Sequence, residues 1–130
     1  MTAVTLNLGG YGAASVMKKR PALVTAISWV LIASGAAGLA FHISEFTTVN
    51  KLDYLLVSLV RALAIVAGGF MLRGSNWARW LSMLWISFHV IISAFHSIKE
   101  LAIHILVFAA FAFVLFRSDA ADYFRRAETQ

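Results

Sequence analysis

Read from its N-terminus, the chain alternates long apolar runs with short polar breaks. After a polar, glycine-rich lead (Gly9, Gly10, Gly12) ending in Lys18-Lys19-Arg20, the stretch from Pro21 to Ile43 contains no Asp, Glu, Lys or Arg. At 1.5 Å per helical residue it is long enough to cross a hydrocarbon core of about 30 Å. A second run spans 54–72 and is broken once, by Arg61. A third spans 77–98 and a fourth 101–116. As one helix the segment from Trp77 to Phe116 would be about 60 Å long, twice the hydrocarbon core, so a turn must fall near Ser97-Ile98-Lys99-Glu100. The pattern predicts an all-α integral membrane protein, a four-helix bundle with helices at 21–43, 54–72, 77–98 and 101–116. A flexible segment over 1–20 precedes it, and a cytoplasmic tail over 118–130 forms a short interfacial helix capped by Ser118 or Asp119.

Local signals refine the breaks. Pro21 suits a first helical position, where its missing N–H costs nothing. Gly74 fits a helix C-terminal cap and Asn76 an N-cap, making Arg73-Gly74-Ser75-Asn76 a tight hairpin. Small residues one turn apart, Ala33 with Ala37, Ser34 with Gly38 and Ala64 with Gly68, would bring the first two helices close together. Gly10-x-Gly12 faintly echoes a dinucleotide loop, but it lacks a preceding strand and the third glycine. Met17 before Lys-Lys-Arg offers an alternative start. The first apolar run exceeds the 7–15 residues of a signal-peptide core, which favours a retained helix.

Composition agrees with the pattern. Hydrophobic residues make up 61% and charged residues 13% of the chain. A small soluble domain has too large a surface to be covered by so few charges. The net charge of +5 does not imply nucleic acid, because the basic residues sit at the ends of apolar runs rather than on one face. Lys18, Lys19, Arg20, Arg73, Arg79, Arg117, Arg125 and Arg126 fall on one side of the predicted topology, with Lys51 and Lys99 on the other. The positive-inside rule then puts both termini and the middle loop in the cytoplasm. The lipid bilayer is the first partner, and a second copy or a larger membrane complex the next. Cysteine is absent, which removes disulfide and thiolate chemistry.

Ionisable residues inside spans are the strongest pointers to function. Arg61 falls near the midplane, where an arginine costs about 2.5–3.5 kcal/mol to insert. Tyr54, Ser58, Arg61, Ala64 or Ile65, and Gly68 share one helical face. Ser82, His89, Ser93 and His96 form a polar stripe on the third helix. Arg61 and His89 occupy one layer with no carboxylate at that depth, so Arg61, His89, Ser58 and Ser93 are candidate ligand-binding residues. Carbonyls, hydroxyls and snorkelling would equally accommodate Arg61. Nearer the outer face, His42, His96 and His104 lie on three helices, flanked by Glu45 and Glu100. Imidazole with carboxylate suits a divalent metal, and two imidazoles on facing helices suit the iron of haem b. Plain hydrogen bonding at the interface is the alternative to both. His96, Glu100 and His104 read as H-x3-E-x3-H, but the required turn breaks that helix. No catalytic motif occurs, neither G-x-S-x-G nor H-E-x-x-H nor a Walker loop. No carboxylate is placed mid-span for ordinary proton-coupled transport.

The hairpin Leu72-Arg73-Gly74-Ser75-Asn76-Trp77-Ala78-Arg79-Trp80-Leu81, followed by Trp85 and His89 and later by Phe116-Arg117 and Tyr123-Phe124-Arg125, resembles a set of short uncharacterised bacterial four-span proteins with an R-G-x-x-W-A-R-W hairpin. The resemblance covers the last three spans. It implies a bacterial inner membrane and attaches no activity. Arg73 and Arg79 would anchor to lipid phosphates, with Trp77 and Trp80 at headgroup level. Three functions remain open: a non-enzymatic accessory subunit acting through helix contacts, a haem- or quinone-binding electron-transfer module using Arg61 for a propionate or quinone oxygen, and an oligomeric channel or carrier for a small anion.

Overall fold

The structure is a computed structural model that describes residues 20–44 and 50–129. It is all-α, with five helices and no strand among the described residues. They are α1 (Ala22–Ile43), α2 (Lys51–Leu72), α3 (Asn76–Ala94), α4 (Ile98–Phe116) and α5 (Ser118–Glu128). Three of them, α1, α2 and α4, are long and apolar enough to cross a membrane. The expected flexible lead lies almost wholly outside the described residues, as does Glu45.

Helix ends depart from the sequence expectation by a few residues, and at α2 and α4 a side-chain cap is the reason. Pro21 is the N-cap of α1 rather than its first residue. Helix α2 starts at Lys51, before the apolar run, because the Asn50 side chain accepts a hydrogen bond from the Leu52 N–H at 3.0 Å. Helix α3 stops at Ala94, short of Ile98, and α4 begins at Ile98 rather than Leu101. There Ser97 Oγ accepts from the Glu100 N–H at 3.2 Å, and Ser-x-x-Glu is the sequence of a capping box. Ser75, not Asn76, holds the N-cap position of α3, and Arg117, not Ser118 or Asp119, that of α5. Gly74 does end α2. It adopts φ +81°, its N–H bonds to Met71 O and the Ser75 N–H to Phe70 O, the paired bonds of a Schellman motif.

The four long helices run antiparallel in chain order. The α1–α2 contact is the most extensive, followed by α3–α4 and α2–α3, while α1 meets α4 only sparsely. Helix α5 folds back beneath α3 and α4. Between α1 and α2 the backbones touch. A Cβ at Gly35 would lie 2.7 Å from Arg61 O, and one at Gly68 would lie 2.5 Å from Ser28 O. The expected pairing of Ala33, Ser34 and Ala37 is not the one used, since all three are exposed. The buried face of α1 carries Val24, Ser28, Leu31, Gly35 and His42, spaced by whole turns, and one residue off that register rotates a side chain by about 100°.

The exterior is as apolar as the interior, unlike that of a soluble domain. Interior positions mix small residues (Ala64, Ala67, Ala78, Ser28 and Ser82) with Val24, Leu31, Met71 and Leu115, while Leu55, Leu59, Ile98, Leu106 and Phe113 face outward and are more than half exposed. Ala and Ser inside let helices approach closely; the large aliphatic residues outside meet a medium as apolar as themselves.

Candidate functional site

Arg61 stands at the middle of α2, and its side chain slants toward the N-terminal end of that helix, as helical side chains do. That direction carries the guanidinium across α1 at Gly38. A Cβ there would lie 2.9 Å from Cζ and 3.1 Å from Cδ of Arg61, so this glycine supplies the notch that the arginine occupies. Among the described residues Arg61 has no ion pair and no side-chain hydrogen bond. Ser58, one turn earlier on the same face, is half-buried and likewise makes no side-chain hydrogen bond among them.

Helix α3 is tied to this level by Trp85, whose indole N–H donates to Val60 O at 2.8 Å, one residue before Arg61. His89 lies one turn on, its ring centroid 4.1 Å from that of Trp85 and its Nδ1–H donating to Trp85 O at 3.0 Å. Its other neighbour is His104 of α4, near-parallel at 6.0 Å between centroids. His104 Nδ1–H is shared between Glu100 O and Ser93 Oγ, each at 2.8 Å, while the Ser93 hydroxyl donates to His89 O at 2.7 Å. A carbonyl can only accept, so both imidazoles carry their proton on Nδ1 when neutral and present Nε2 as a bare acceptor. Trp85, bonded to the carbonyl just before Arg61 and packed on the His89 ring, puts Arg61 and His89 at one level. One layer thus draws on all four long helices, with Gly38, Arg61, His89 and Ser93, and His104 as its parts.

The outer histidines do not assemble. His42 is buried and stacks on Tyr54, with centroids 4.6 Å apart at 11°. His96 lies past the end of α3, exposed, with Nδ1–H donating to Ile92 O at 3.1 Å. His104 turns to His89 and Ser93, and Glu100 is exposed. Among the described residues no group of three or more His, Asp or Glu side chains is arranged to hold a metal ion. By depth along the sequence His104 falls nearer the outer face than His89 and Trp85 has no part in the site; the register of α3 against α4 brings the two rings together. The i, i+4 spacings of Trp85 with His89 and of Glu100 with His104 were the available signals.

The opposite end of the helices holds the hairpin residues. Trp77 and Trp80 are exposed, as is Arg73, whose guanidinium lies 5.7 Å from the Phe70 ring. Arg79 is drawn inward over Phe116 at 4.8 Å, Phe124 at 5.6 Å and Trp80 at 5.8 Å, with Nε buried and without a hydrogen bond among the described residues. Phe124 anchors α5, fully buried, and the Tyr123 hydroxyl donates to Leu72 O at 3.0 Å, satisfying a carbonyl that the end of α2 leaves open. Burial holds the Tyr123 phenol above its usual range, with the Arg20 charge opposing the shift. Compared with known proteins, the chain matches no family model, no curated sequence and no solved structure.

Proposed function

We propose that this is a four-span protein of a bacterial inner membrane, a four-helix bundle with both termini and the α2–α3 turn in the cytoplasm. In this reading it works as a non-enzymatic accessory subunit, through helix contacts with a second copy or a larger membrane complex. The apolar exterior carries the reading, and it extends to α3. That helix owes its lower hydropathy to Ser82, His89, Ser93 and Arg79, and Ser82 and Ser93 are buried. Its outer ridge, Trp77, Trp80, Leu84, Phe88 and Ile91, is apolar and exposed. A lipid neighbour therefore meets α3 much as it meets α1, α2 and α4. The distribution of Lys and Arg supplies the orientation.

Purification from membranes in a mild detergent, followed by mass measurement of the intact particle, tests the accessory role. A dimer, or a stoichiometric partner recovered with the tagged chain, is the expected result. A monodisperse single copy without partners overturns it.

A further inference from the structure

We propose that Arg61, His89 and His104 form an intramembrane receiving site for a monovalent oxyanion that keeps an acidic hydroxyl, of the dihydrogen-phosphate or bicarbonate class. The site rests on the four-span reading, which places this layer inside the bilayer. Three observations converge. Arg61 is seated in the Gly38 notch without a counter-charge among the described residues. The two imidazoles stand 6.0 Å apart with their Nδ1 protons committed to Trp85 O and to Glu100 O and Ser93 Oγ. Each therefore offers Nε2 as an acceptor, and neither Nε2 has a hydrogen-bond partner among the described residues.

The ligand follows from what these groups lack. A cation in low dielectric gains most from an anion, and a guanidinium grips two oxygens of an oxyanion at once. A bare acceptor nitrogen gains from an O–H. A halide or nitrate would answer Arg61 and leave both nitrogens unserved. A neutral quinol would serve a nitrogen and leave the arginine uncompensated. A divalent cation would meet Arg61 as a like charge. An oxyanion bearing a hydroxyl meets both needs, its charged oxygens on Arg61 and its O–H on Nε2. Ser93 makes this possible, since it links His104 to the His89 backbone and fixes the tautomer of the ring. The same chemistry is offered by a free inorganic anion and by the phosphomonoester headgroup of phosphatidic acid.

Equilibrium dialysis of the full chain in detergent, in phosphate-free buffer, with radiolabelled inorganic phosphate as probe, tests the site. The wild type is expected to bind one phosphate per chain. Arg61→Gln should weaken binding at least tenfold, His89→Phe and His104→Phe severalfold, Arg61→Lys less than Arg61→Gln, and Arg125→Gln not at all. Competition on the wild type alone keeps the test decisive should Arg61→Gln fail to fold, because bicarbonate should displace phosphate while nitrate and chloride should not. Dioctanoyl phosphatidic acid separates the sources. Binding of that lipid without binding of phosphate assigns the site to a headgroup, and binding of phosphate assigns it to the free anion. Failure of both probes, undiminished binding by a folded Arg61→Gln variant, or nitrate competing as well as bicarbonate overturns the proposal. None of these outcomes bears on the particle mass, so the site and the accessory role fail separately.

Discussion

Helices α1 and α2 approach through glycines, Gly35 against the Arg61 backbone and Gly68 against that of Ser28, whereas α3 and α4 meet through side chains that exchange hydrogen bonds and stack rings. The first seam is made by shape. It leaves little room for anything except backbone, and its strength comes from many short contacts. The second is made by polar groups, Ser93 with His104 and His89 beside both. Each such bond within a membrane has a small net value because the alternative states also find partners. A protein that needed only to hold four helices together would gain more from the first design. The presence of the second, next to an arginine that has no ion pair among the described residues, is what sets it apart as a place for chemistry.

The largest effect should come from filling the first seam. Gly35→Leu forces the backbones apart and should cost about 3 kcal/mol, at the upper end of overpacking penalties, in reversible unfolding in mixed detergent followed by circular dichroism. A loss below about 1 kcal/mol would show that the glycine contact does not govern the pair. Next is Gly74→Ala, outside both seams. Its φ of +81° disfavours a side chain, and a Cβ there would stand 2.5 Å from that of Ala127 in α5. About 2 kcal/mol is expected, with α5 released to proteolysis before the long helices unfold.

Tyr123→Phe should cost about 1 kcal/mol, the value of one hydrogen bond to the end of α2. This increment depends on pH with a definite sign. The folded phenol is held above its ordinary value near 10, so the protonated hydroxyl is the stabilising form. Its contribution is complete below about pH 10 and fades as pH rises through the folded value. The wild type minus Tyr123→Phe difference should therefore be flat up to that point and shrink above it; a difference that grew with pH would refute the assignment. Smallest is Ser93→Ala, at about 0.6 kcal/mol. If it matched Gly35→Leu, the contrast between the two seams would collapse.

Much of the fold is legible in the sequence and some of it is hidden for a physical reason. The apolar runs announce the long helices, and Gly74 announces its turn through a left-handed conformation that glycine adopts far more readily than other residues. The α3 stripe of Ser82, His89 and Ser93 stands out by its helical spacing, and His96 drops out of it because α3 ends at Ala94, before the Ser97 cap of α4. The inner face of α1 was not legible. A helix apolar all round gives periodicity nothing to mark, so Gly35 could not be told from its exposed neighbours Ala33 and Ala37. The site was half visible: charge and depth single out Arg61 and His89, but joining His104 to them requires the α3–α4 register that Ser93 fixes.

The four-span topology with both ends inside is the claim on which depth, site and surface all rest, and the absence of native cysteine allows a clean measurement of it. Single cysteines introduced as Lys99→Cys, in the α3–α4 turn, and Thr129→Cys, at the end of α5, would be exposed to a membrane-impermeant maleimide in intact and lysed cells. The topology predicts labelling of Lys99→Cys in intact cells and of Thr129→Cys only after lysis. Labelling of Thr129→Cys from outside would mean either an odd number of crossings, with α3 failing to span, or an inverted bundle, and would contradict it.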